Sequence, residues 1–185
     1  MCFLGFAMQR VMIIGQPGSG KSTLAGMLGE KSGLPIVYID HIHWQPGWVE
    51  RSKAEKTRLC HLAEAQEQWI IEGGHSQTWD NRALRADVIL WLDIPVWQRL
   101  GRILWRTWRW RGRNRPDLPE GCREGFHGQT LPFWAYIWRT RKSGRKTIER
   151  LLQRFPDKPV ARLTSLSDVR QLLDDWPKLN AFSQK

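Results

Sequence analysis

One eight-residue stretch limits this chain more than any other. Gly15-Gln-Pro-Gly-Ser-Gly-Lys-Ser22, continued by Thr23, fits the spacing G-x-x-x-x-G-K-[ST]. It follows a short apolar run, Arg10-Val-Met-Ile-Ile14, that reads as a buried strand. It precedes residues 22–31, which carry Leu24, Ala25, Met27 and Leu28 at helical spacing and are stopped by Gly33. A strand, a glycine-rich turn and a helix in that order form an anion cradle. The glycines let the backbone curl until successive N–H groups converge, and the helix N-terminus adds its partial positive charge. Gly15, Pro17, Gly18, Ser19, Gly20, Lys21, Ser22 and Thr23 are therefore the candidate nucleotide-binding set. Lys21 has the reach for the β/γ-phosphates, and the Ser22 hydroxyl is a candidate Mg²⁺ ligand.

The rest of the chain repeats the strand–helix alternation. Apolar strands are expected at 35–39, 69–71, 88–92 and 160–163, and helices at 51–68, 96–110, 130–142, 146–155 and 167–176. The segment 41–49 and the segment 112–128 read as loops. This order implies an α/β fold with a parallel five-stranded sheet covered by helices on both faces, a three-layer sandwich. At 185 residues with 41% hydrophobic side chains, one domain with a buried core is expected over 1–185. The sequence contains no apolar run of about 18 residues, so no membrane partner is expected.

Charge is distributed unevenly. The formal net charge is +11, and twelve tryptophans accompany it. Residues 99–146 hold thirteen Arg and Lys side chains against Asp117, Glu120 and Glu124, so nearly all of the excess lies in 48 residues. A polyanionic or phosphorylated partner follows. Arg99, Arg102, Arg106 and Arg109 fall on one helix face, an unfavourable stripe unless an anion stands near it. Trp97, Leu100, Leu104 and Trp108 form a second stripe, and Trp134 and Trp138 lie four apart; the simplest reading packs them as helix core.

Cys2, Cys60 and Cys122 are odd in number and widely spaced, which suggests neither a disulfide framework nor a zinc site and fits a cytoplasmic setting. The apolar opening segment 1–7 is short and lacks a charged start, so a signal peptide is not expected. Two carboxylates stand at strand ends on the acidic side of a Mg²⁺ site, Glu72 and Asp93. Glu72 is favoured because Gly73-Gly74 behind it permits close backbone approach. Asp40, His41 and His43 lack a fourth metal ligand at suitable spacing.

On these residues the chain resembles nucleotide-kinase-type P-loop proteins. More narrowly it is similar to the adenylate-kinase-like proteins of the DNA-topology-modulation (FlaR-type) family. The narrower likeness rests on Ile39-Asp-His-Ile-His-Trp-Gln-Pro-Gly-Trp48, Trp69-Ile-Ile-Glu-Gly-Gly74, Arg85-Ala-Asp-Val-Ile-Leu-Trp-Leu-Asp93 and Arg111-Gly-Arg-Asn-Arg-Pro-Asp117. Family members more often read Asp-Gly-Asn-Tyr where this chain has Glu72-Gly-Gly-His75. The resemblance implies an Arg-rich helical lid over about 102–142, with Arg102 near the adenine and Arg106 at the phosphates. It also implies Arg113 and Arg115 in the lid, and Arg139 and Arg141 returning from its far side. On the acceptor side it points to Asp40 as the group orienting an acceptor hydroxyl, to His43, Trp44 and Trp48 as pocket walls, and to Arg82 on an acceptor phosphate.

The function expected is an ATP- and Mg²⁺-dependent phosphotransferase, a small-molecule kinase of the nucleoside or nucleotide type, acting as a monomer or homodimer on the hydroxyl or phosphate of an unidentified nucleoside, nucleotide or other hydroxylated metabolite. Lys21, Arg106, Arg139 and Asp40 are its expected catalytic residues. The alternative is an ATP-binding, nucleic-acid-associated regulator, which the basic and tryptophan-rich segment also suits.

Overall fold

The computed structural model describes residues 8–123 and 130–181, with the backbone alone for 130–132 and 177–181. Cys2, the opening segment 1–7 and the end of the second loop (124–128) lie outside the described residues.

Five parallel strands form the central sheet: β1 (Arg10–Gly15), β2 (Ile36–Tyr38), β5 (Trp69–Glu72), β6 (Val88–Leu92) and β7 (Val160–Leu163), in the order β2-β5-β1-β6-β7. The parallel five-stranded sheet expected from sequence is present. Alternate residues of β1 enter two separate cores. Val11 and Ile13 pack with Leu24 and Leu28 of α1 (Lys21–Ser32) and with Leu172, Leu173 and Trp176 of α7 (Leu166–Ala181). Met12 and Ile14 pack on the other face with Cys60 of α3 (Lys53–Glu64), Ala83 of α4 (Trp79–Arg85), and Ile148 and Leu151 of α6 (Thr130–Arg154). Burial on both faces explains why these strands read as continuous apolar runs rather than alternating ones.

The chain leaves β1 toward β2 at one edge, returns to β5, and crosses over β1 to β6. The order reverses beside β1, which opens a crevice at the C-terminal ends of β1 and β5. The phosphate loop fills one wall of that crevice.

Several elements differ from the sequence expectation. The segment 41–49 is not a plain loop. It starts in a short helix, α2 (Ile39–His43), and continues into an antiparallel hairpin of β3 (Trp44–Gln45) and β4 (Val49–Glu50). A 3-10 turn (Ser76–Thr78) and α4 occupy a stretch in which no helix is expected. The two helices expected at 130–142 and 146–155 are one, because α6 runs unbroken through Gly144. A mid-helix glycine costs only about 1 kcal/mol, which tertiary contacts offset here.

The tryptophan stripe on α5 (Val96–Arg109) is a correction. Trp97 and Trp108 are 69% and 68% exposed, and the buried residues of this helix are Arg99, Ile103 and Thr107. The helix turns its arginine face inward because the phosphate loop offers it backbone carbonyls that require donors. Trp97 meets Trp138 of α6 at the surface, their ring centroids 4.9 Å apart.

Candidate active site

The phosphate loop adopts the cradle its glycines predict. The Ser19 amide donates to the Gln16 carbonyl at 3.1 Å, and the Lys21 Nζ reaches back to the same oxygen at 3.3 Å. Gly18 has φ +77°, and a Cβ there would stand 2.7 Å from both the Arg99 carbonyl oxygen and Ile103 Cδ1. The loop therefore sits directly on α5. Two arginines of the basic stripe are answered by loop carbonyls: Arg99 Nη1 donates to Pro17 O at 3.3 Å and Arg102 Nη1 to Ser19 O at 2.8 Å. The repulsion expected along that stripe is relieved in part by backbone dipoles.

On the opposite side the loop meets α6. Gln16 Nε2 donates to the carbonyls of Thr140 and Arg141, both at 3.1 Å. A Cβ on Gly144 would fall 2.4 Å from that nitrogen. Gly144 is the residue that lets α6 approach the loop.

Glu72 ends β5, and its register opposite Ile13 of β1 places it just below the loop. The Ser22 hydroxyl donates to its Oε1 at 3.2 Å. Glu72 is 2% exposed, and burial pushes its carboxyl up to about 7 against the opposing charge of Lys21. Burial likewise lowers Lys21, with Glu72 and Asp40 acting to raise it. The other strand-end carboxylate, Asp93, is engaged elsewhere: Arg162 Nε donates to it at 2.9 Å and Arg145 stands 3.1 Å away.

The loop, Glu72, Asp40, His43, Arg102 and Arg106 line one cleft of about 2000 Å³. Asp40 lies in α2, at the end of β2, and faces Lys21 and Glu72 across the cleft floor. His43 Nε2 stands 3.5 Å from Glu50, while burial and Lys56 lower its pKa. His41 points away from His43, its Nε2 3.1 Å from the Pro116 carbonyl oxygen.

Three expected site residues do not line the cleft: Ser19, which is wholly buried, Arg82 and Arg139. Arg82 is fully buried behind it, donating to Glu64 Oε1 at 3.0 Å, Thr78 Oγ1 at 3.1 Å and the Gly73 carbonyl at 3.3 Å. Its position follows from α4, whose inner face turns toward α3 and supplies Glu64 with a partner. Arg139 is exposed on α6 and does not line the cleft, because the inward face of that helix carries Trp134, Ile137, Thr140, Gly144 and Ile148. Arg141 stacks its guanidinium 4.2 Å from the Trp138 ring centroid.

Sequence reasoning passed over one pair. Arg115 and Asp117 belong to the segment after α5, and Arg115 Nε and Nη2 donate to the two Asp117 oxygens at 2.9 and 2.6 Å. Burial would raise the Asp117 carboxyl, but Arg115 and the Ser22 hydroxyl outweigh it and hold it below the usual range. The segment is held over the cleft by the β3–β4 hairpin: Trp48 Nε1 donates to Arg123 O at 3.3 Å and Cys122 Sγ to Gln45 O at 3.4 Å. The Arg-Pro-Asp spacing was visible in the sequence, but its proximity to Ser22 was not.

Among the described residues no cluster of three or more His, Cys, Asp or Glu side chains is built to hold a metal. The Ser22 and Glu72 oxygens are hard donors, and the raised Glu72 carboxyl is a buried acid that a cation would return to its charged form. These residues fit Mg²⁺ in its usual manner, with few protein ligands and the rest from phosphate and water.

The sequence matches no known protein-family model and no curated protein. Solved structures are similar at the level of fold. The shikimate kinase of Acinetobacter baumannii, in complex with shikimate, aligns with TM-score 0.56 and 16% identity over 93% of this chain and 92% of that one. The deoxyadenosine kinase of M. mycoides, with dCMP and dCDP bound, aligns at 0.55 and 15% over 93% and 99%. A sugar kinase from Janibacter aligns at 0.51 and 15% over 96% and 99%. The chain has the fold of the P-loop nucleotide and nucleoside kinases, a parallel five-stranded α/β sheet with the phosphate loop after its central strand.

Proposed function

We propose that this protein is an ATP- and Mg²⁺-dependent phosphotransferase that moves the γ-phosphoryl group of ATP to a hydroxyl of a small acceptor. The observation that supports it best is the convergence of Lys21, Ser22 and Glu72 with Asp40 in one cleft. The loop amides and Lys21 bind the phosphates, and Arg106 adds positive charge where the transferring group spreads its own. Arg102, beside Gly20, is the candidate for the adenine end. Ser22 and Glu72 would hold Mg²⁺, which supplies charge neutralisation between the phosphates. Asp40 orients the acceptor hydroxyl and takes its proton as the new P–O bond forms and the bond to ADP breaks. The helices α5 and α6 with residues 110–123 act as a lid that keeps water out.

The test is a phosphotransfer assay with ATP, Mg²⁺ and a panel of hydroxylated acceptors. Lys21→Ala is expected to lose turnover while keeping its far-UV circular dichroism; full turnover in that folded variant would overturn the proposal.

A second reading is favoured by the surface of α5 and α6. Exposed Trp97 and Trp138 in contact, with Arg141 over Trp138 and Arg109 over the exposed Trp105, are aromatic and basic groups that suit single-stranded nucleic acid. Binding to a labelled oligonucleotide that falls steeply with salt would support it.

A further inference from the structure

The two halves of the cleft differ in charge. On the β6 side, α5 supplies Arg102, Arg106 and Arg109. On the β2 and β5 side the walls are Tyr38, Trp44, Trp48 and Trp79, and the floor carries Asp40 and Glu72. His43 joins this half with a lowered pKa, so it is neutral near pH 7. The Trp44 and Trp48 rings meet edge to face with centroids 5.4 Å apart, and both line the acceptor half as an aromatic wall.

Among the described residues, the cations lining the cleft outside α5 are Lys21, at the phosphate loop, and Arg115. The Arg115 guanidinium is committed to both oxygens of Asp117. Arg82, the arginine expected on an acceptor phosphate, lies behind the cleft wall and is sealed against Glu64 instead. A phosphate or carboxylate on the acceptor would lose water beside Asp40 and Asp117, while the cations there, Lys21 and Arg115, already face the phosphate loop and Asp117. Aromatic faces and a carboxylate suit the opposite case, a planar uncharged group or a cation.

We propose that the acceptor is an alcohol without an anionic group, uncharged or cationic, that lies against the Trp44 and Trp48 wall with its hydroxyl at Asp40. This rests on the phosphotransferase reading and narrows it: nucleosides and amino alcohols fit, whereas nucleoside monophosphates and hydroxy acids do not.

The test is isothermal titration of the full chain with matched pairs: thymidine and thymidine 5′-monophosphate, adenosine and adenosine 5′-monophosphate, choline and phosphocholine. Each pair is measured with and without a non-hydrolysable ATP analogue and Mg²⁺. At least one unphosphorylated member is expected to bind tenfold or more tighter than its phosphorylated partner, and Trp48→Ala to weaken it several-fold. Equal or tighter binding of a phosphorylated member when the analogue saturates the donor half overturns the inference, and so does binding by no member of any pair. The analogue titrated alone reports the donor half. Failure there counts against the phosphotransferase reading, while the pairs measured without it still decide the acceptor class.

Discussion

Arg82 and Glu64 are both wholly buried and joined at 3.0 Å, so neither charge has water to fall back on. Removing Arg82 leaves Glu64 buried with only Asn81 at 2.7 Å and His61 at 3.3 Å as partners, so the loss approaches the ~3–5 kcal/mol of a broken buried ion pair. Arg82→Ala is therefore expected to lose stability on that scale in urea denaturation. A folded Arg82→Ala with only a raised KM would return the residue to the acceptor site. Glu72 makes the opposite kind of prediction. Burial pushes its folded carboxyl up to about 7 from an ordinary 4.5, so between these values the folded protein holds a proton that the unfolded chain has released. Stability from this group is full below pH 4.5 and falls as pH rises toward 7, by up to about 3 kcal/mol. Glu72→Gln lacks that titration. In metal-free urea melts its advantage over the native chain is expected to grow from pH 4.5 to 7 and then level off, and Mg²⁺ to reduce it by binding the charged carboxylate. Parallel profiles would remove this account. The phosphate loop was legible at this scale because Gly15 to Ser22 encode it locally; the buried pair was not, because its partners are 18 residues apart and meet only when α3 packs on α4.

At the scale of elements, α5 and α6 are where local pattern and final structure part. Helical periodicity located both, but the stripe of tryptophans on α5 faces outward, while Arg99 is buried and Arg102 and Arg106 are half-buried against the phosphate loop and cleft. Periodicity reports that a helix has two faces; which face is buried depends on what it meets, here the carbonyls of Pro17 and Ser19. Gly144 likewise reads as a helix break until Gln16 is seen against it. Gln16→Ala is expected to cost about 0.5–1.5 kcal/mol through its two lost hydrogen bonds. Gly144→Ala displaces the same side chain but gains about 1 kcal/mol of helix propensity, so alone it should be near neutral. The double variant should then be more stable than Gln16→Ala by about 1 kcal/mol. Urea midpoints of the three variants check this, and a double variant no more stable than Gln16→Ala would show that the contact is not what Gly144 serves.

Across the whole molecule, the phosphate loop touches β1, α5 and α6, and β1 reaches into both cores. Ligand bound at the loop should stabilise the cooperative unit rather than the loop alone. ATP with Mg²⁺ at a hundred times its Kd is expected to add about 2.7 kcal/mol, a rise in melting temperature of about 5–10 °C. Lys21→Ala should show little of that rise in differential scanning calorimetry. The net charge of +11 also takes its meaning at this scale, since α5 presents part of it to the cleft and α6 presents Arg139 and Arg141 to the surface.

The sequence by itself determined the five sheet strands in chain order, the cradle from Gly15 to Ser22, and the placement of Glu72 and Asp40 at strand ends. These are products of short-range sterics and of apolar runs that bury on both faces of a sheet. The tertiary structure decided which carboxylate stands beside Ser22, which arginines line the cleft, and which face of α5 is inside. Those outcomes depend on desolvation, and a charged side chain is settled by the partners that replace its water, which are set by packing between residues distant in the chain.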